Sequence, residues 1–75
     1  MAYNGHKNWS QWNVSLWINN DEQLYRQAQQ CLRASRTKDQ AAAKFHEMLT
    51  AYGVTETPDG AKYTKTSIRA ALVGM

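Results

Sequence analysis

Apolar residues recur with a helical period through the middle of the chain. Leu24, Tyr25, Ala28, Cys31 and Leu32 stand at i, i+1, i+4, i+7 and i+8, and Ala41, Phe45, Met48, Leu49 and Tyr52 form a second stripe of the same kind. Both stripes are preceded by start signals. Asn20-Asp21-Glu22-Gln23 and Thr37-Lys38-Asp39-Gln40 read as capping boxes, with Asn20 and Thr37 as caps and a glutamine reaching back. Asp21 and Glu22 put negative charge at the positive end of a helix dipole, and Arg33 and Arg36 put positive charge near the other end. Gly53 suits the left-handed residue that closes a helix, and Val54 supplies the apolar contact that often follows it. The pattern predicts helices over 20–35 and 37–52.

The tryptophan-rich segment before them carries two patterns at once. After a turn-prone Asn4-Gly5, Trp9, Trp12, Leu16 and Trp17 share one helical face, with Val14 and Ile18 on its flank and Ser10 available as N-cap. Trp12, Val14, Leu16 and Ile18 also alternate with polar residues, as in a half-buried strand. The Ser10 cap and the short link onward favour a helix over 10–19, and a strand over 12–18 is the alternative. Because the next two stripes both need an apolar partner, Trp12 and Leu16 are expected in the core.

Beyond Gly53, the segments 54–57 and 61–64 flank Pro58-Asp59-Gly60. Proline suits the first central position of a type I turn, and glycine the left-handed site after it. The segment 54–64 therefore reads as a small hairpin or an ordered loop. Ser67 then caps a short helix over 67–73, whose Ile68, Ala71 and Leu72 rejoin the core. The expected fold is mainly α: one small three-helix domain with a C-terminal turn or short hairpin and a short terminal helix.

Composition narrows the classes. Hydrophobic residues make up 43% of the 75 positions, enough for a globular core. The single cysteine, Cys31, excludes an internal disulfide framework and fits a reducing compartment. No apolar run approaches the roughly 20 residues of a membrane span. The N-terminal residues do not read as a secretory leader, so Asn8-Trp9-Ser10 and Asn13-Val14-Ser15 are expected to be chance sequons in a cytosolic protein. A net charge of +3 permits an acidic partner and argues against mimicry of nucleic acid.

No constellation of catalytic residues stands out. Cys31, His6 and His46 are far apart, and Thr50 occupies the position four residues after His46 where a second metal ligand would stand. Neither a metal nor a cofactor is expected, Cys31 reads as a structural thiol, and the glycines are isolated rather than grouped in a phosphate-binding loop. Arg26, Arg33, Arg36, Lys38 and Lys44 could contact nucleic acid or another anion, although a solvated helix face accounts for the same residues. The first helix carries more apolar surface than one seam can cover. Trp9, Asn13 and Trp17 are accordingly the candidate protein-contact residues.

Tyr3-Asn4-Gly5, Asn8, Ser10, Trp12-Asn13-Val14, Leu16-Trp17-Ile18, Asn20-Asp21-Glu22 and Leu24-Tyr25, with Thr55-Glu56-Thr57-Pro58-Asp59-Gly60, resemble a family of small proteins encoded by tailed bacteriophages and prophages. Ser10 stands where threonine is usual in that family, and Lys62, Lys65 and Arg69 stand in place of its acidic C-terminal stretch. The resemblance implies a phage origin and a place in the host bacterial cytoplasm, and it supplies no catalytic residue. The expected function is that of a non-enzymatic accessory protein binding a host or phage protein, as a host-takeover or anti-defence modulator. The alternatives are a small basic nucleic-acid-binding protein and a self-associating structural protein.

Overall fold

A computed structural model describes residues 8–73, so the expected turn at Asn4-Gly5 and His6 lie outside the described residues. Four helices follow one another: α1 (Trp9–Asn20), α2 (Glu22–Arg33), α3 (Lys38–Ala51) and α4 (Lys65–Leu72). The tryptophan-rich segment is helical, and no strand occurs among the described residues.

Each helix starts on a short polar side chain, but three of the four caps differ from those expected. Asn8, not Ser10, caps α1 by accepting the amide hydrogen of Gln11 at 2.9 Å. Asp21, not Asn20, caps α2 by accepting from the amide of Leu24 at 3.0 Å. The backbone N–H of Asp21 also donates to Trp17 O at 2.9 Å, so this one residue ends α1 and starts α2. Thr37 caps α3 as expected, while the side chain of Gln40 reaches one residue further back, to the amide of Arg36 at 3.0 Å. Thr64 rather than Ser67 caps α4. Ser67 is the third residue of that helix, and its hydroxyl completes a capping box with Thr64. In each displaced pair either residue has suitable chemistry, and the cap is the residue whose own backbone is extended.

The exit from α3 follows the sequence closely. Gly53 has φ +74°, its amide donates to Thr50 O at 3.0 Å, and the Val54 amide donates to Leu49 O at 2.9 Å, the paired bonds of a Schellman motif. The chain then extends to a tight turn in which the Gly60 amide donates to Thr57 O at 2.9 Å, with Gly60 at φ +94°. A single bridge between Glu56 and Lys62, with Thr57 N donating to Ala61 O and Tyr63 N to Thr55 O, makes it an ordered hairpin-like loop without strands.

The terminal helix is not an appendage. It packs against both α1 and α3, while α2 packs against α1 and α3, so the four helices close a ring around one core. Val14 and Ile18 of α1, Ala28 of α2, Ala41, Ala42, Phe45 and Leu49 of α3, Ala61 and Tyr63 of the loop, and Ile68, Ala71 and Leu72 of α4 fill it. Asp39, in the first turn of α3, forms a salt bridge with Arg69 of α4, and each charge lies at the helix end that favours it.

None of the tryptophans belongs to the fully buried core. Trp12 is half-buried and Leu16 is 37% exposed, against the expectation that both would be central. Tyr25 and Tyr52 also leave their stripes, the latter 79% exposed as the C-cap of α3. The core is instead built from Phe45, Ile18, Ile68, Leu72 and Val14 with alanines between them, and the alanines allow helices in a small ring to approach closely.

Nothing lies within 4 Å of a Cβ placed on Gly53, so substitution there acts through the backbone alone. Gly53→Ala is expected to lose about 1 kcal/mol because an L side chain disfavours positive φ. A lowered urea midpoint with an unchanged slope would report this cost, and an unchanged midpoint would refute it.

Candidate interaction surface

The turn that follows α3 is fastened to α1 by four side chains. Asn13 is 2% exposed, and its amide Nδ2 donates to Asp59 Oδ2 at 2.9 Å. Its Oδ1 accepts from the Thr57 hydroxyl at 2.6 Å, and that hydroxyl in turn accepts from the Ala61 amide at 3.0 Å. The indole Nε1 of Trp17, one helical turn beyond Asn13, donates to the same Asp59 oxygen at 2.9 Å. The hydrogen bonds from Asn13 and Trp17 hold the Asp59 carboxyl below the ordinary carboxylate value.

These contacts fix the rotation of α1 about its own axis. At about 100° per residue, Val14 and Ile18 face the core, Asn13 and Trp17 lie on the shoulder above the turn, and Trp9, Trp12 and Leu16 fall within about 60° of each other on roughly the opposite side. The helix is thus apolar on two faces. One face is buried, while the other keeps Trp9 39% exposed and Leu16 37% exposed. No residue of α1 is charged, and the flanks of the outer face are serine and asparagine.

The expected contact residues therefore separate. Asn13 is buried with both ends of its amide engaged, so it is not a surface contact. Trp17 is half-buried and tied to Asp59, whereas Trp9 is open to a partner. The contact stripe is re-centred on Trp9, Trp12 and Leu16. A concavity of about 390 Å³ opens beside the turn, where Trp17, Leu24, Leu49, Val54 and Tyr63 meet a rim that carries Asp21 and Glu56. Its neighbour along α2 and α3 reaches Met48 and the exposed Tyr52. Sequence periodicity missed this surface because it assigned Tyr52 to the core stripe.

The five basic candidates do not form one patch of free cations. Lys44 donates from Nζ to Ala34 O at 2.9 Å, neutralising a carbonyl at the end of α2, and Arg26 is paired with Glu22 on the same helix. Arg33, Arg36 and Lys38 remain exposed around the connection from α2 to α3. Cys31 is half-buried, and burial pushes its thiol up against the smaller opposing effect of Lys44, which favours an unreactive thiol. Among the described residues, no group of three or more His, Cys, Asp and Glu side chains could hold a metal ion. No helix among them is long and apolar enough to cross a membrane.

Removing the Asn13 amide takes away the acceptor of the buried Thr57 hydroxyl and one donor to Asp59, whereas truncating Leu16 removes contacts at the surface. Asn13→Ala is expected to cost about 1–3 kcal/mol and Leu16→Ala under about 1 kcal/mol, measured by urea unfolding. The reverse order would refute the rotation assigned to α1. Acid supplies a separate check. The Asp59 carboxyl is lowered in the folded state, so its contribution is present at neutral pH and fades as pH falls through the unfolded carboxylate value of about 3.9 and below. Asp59→Asn is expected to flatten the acid limb of the stability profile, and an unchanged limb would show that the bonds carry no linkage.

The chain belongs to a family of unknown function, DUF7249, whose sequence profile matches residues 1–74. No curated protein and no solved structure matches it significantly.

Proposed function

We propose that this family member is a non-enzymatic accessory protein, encoded by a phage and acting in the host bacterial cytoplasm, that binds a host or phage protein through the outer face of α1. The observation that carries this reading is the stripe Trp9, Trp12 and Leu16, which lies opposite the core face of the same helix and remains partly exposed. Exposed tryptophan flanked by small polar side chains offers a large, stiff contact area with little conformational entropy to lose. The resemblance to small phage proteins supports the setting, and the lack of charge on α1 supports a partner recognised by apolar packing and amide hydrogen bonds. Engagement of Lys44 and Arg26 within the fold weighs against nucleic acid as the ligand.

Capture from bacterial lysate tests the reading when the wild type is compared with Trp9→Ala and Leu16→Ala, both expected to keep the fold. A partner held by the wild type should be lost from both variants, and its capture should be nearly insensitive to salt because α1 carries no charge. A partner retained by both variants would exclude this face. Binding that collapses as salt rises and follows Arg33, Arg36 and Lys38 would favour an anionic ligand instead.

A further inference from the structure

Pro58-Asp59-Gly60 places an aspartate directly before a glycine in an exposed turn. In such a pair the backbone nitrogen of the glycine can attack the aspartyl side-chain carbon, because no Cβ shields the nitrogen. Here the fold holds both reacting groups. The Gly60 amide donates to Thr57 O at 2.9 Å, and the Asp59 carboxylate accepts from Asn13 Nδ2 and Trp17 Nε1, each at 2.9 Å. We propose that Asp59-Gly60 is a site of succinimide and isoaspartate formation whose rate is set by the hydrogen bonds that fasten this turn to α1.

The chemistry balances without an outside oxidant or reductant. A bond forms between Gly60 N and Asp59 Cγ, the bond from Cγ to its hydroxyl oxygen breaks, and the amide hydrogen leaves with that hydroxyl as water. Water then opens the ring. Addition at Cγ restores aspartate, while addition at the main-chain carbonyl routes the chain through the side chain and leaves isoaspartate. The attacking nitrogen must lose its hydrogen, which the bond to Thr57 O holds. The carboxyl must turn from α1 toward Gly60, which two donors oppose. It also reacts best when protonated, and the same donors favour the ionised form. Local opening of the turn removes all of these restraints together.

Isoaspartate at this position would lengthen the main chain by one methylene and leave the carboxylate directly on Cα, one carbon closer to the backbone, which takes it from Asn13 and Trp17. The product is thus expected to be less stable than the parent. Asp21 and Asp39 precede Glu22 and Gln40 and serve as internal comparisons.

The test is incubation of the whole chain at neutral pH in three forms: native, unfolded in concentrated urea, and as Trp17→Phe. Peptide mapping reads the water-loss intermediate and isoaspartate at residue 59, and circular dichroism confirms that Trp17→Phe is folded. The unfolded chain is expected to convert about tenfold faster than the native one or more, with folded Trp17→Phe in between. Equal rates in native and unfolded chains would overturn the proposal, as would conversion of Trp17→Phe at the native rate. No conversion in the unfolded chain would show that Asp59-Gly60 is not such a site.

Discussion

The buried amide of Asn13, held between the Thr57 hydroxyl and the Asp59 carboxylate, is the contact from which the rest of the arrangement follows. Leaving either end unpaired in a site 2% exposed would cost more than a usual surface hydrogen bond, so α1 is not free to roll to another face. With that rotation set, Val14 and Ile18 enter the core. The loop is set as well: Thr57 accepts the Ala61 amide, which brings Ala61 and Tyr63 inward and starts α4 where it can close the ring between α1 and α3.

This constraint explains an unusual division of labour among the apolar residues. The bulkiest side chains of the chain lie outside its fully buried core, whose largest fully buried side chain is Phe45 and whose helix seams are lined with Ala28, Ala41, Ala42 and Ala71. A ring of four short helices has little space along its axis, and small residues let backbones come close. The tryptophans of α1 are left to cover the turn, in the case of Trp17, or to stand outside, in the case of Trp9.

Much of this was legible in the sequence wherever the signal was local. The stripes of α2 and α3, the Thr37 cap, Gly53 and the Pro58-Asp59-Gly60 turn all depend on partners within a few residues. The rotation of α1 was not legible, because its hydrogen bonds span 42 to 46 residues and its outer face is as apolar as its inner one. For the same reason Asn13 read as a surface residue. Caps slipped between neighbours of equal chemistry, Asn8 and Ser10, Asn20 and Asp21, Thr64 and Ser67, since side-chain type alone does not choose among them. Lys44 read as a free cation because its partner, the Ala34 carbonyl, is a backbone group with no sequence signature.

Asp21 closes one helix with its backbone and opens the next with its side chain, which leaves the corner between α1 and α2 no spare residue. Such a joint has no slack to absorb a change in length. An inserted residue would have to break one cap to keep the other, and would swing the Trp9–Leu16 face relative to α2. Among related chains, variation in length is therefore better accommodated in the extended run after Gly53 than at this corner.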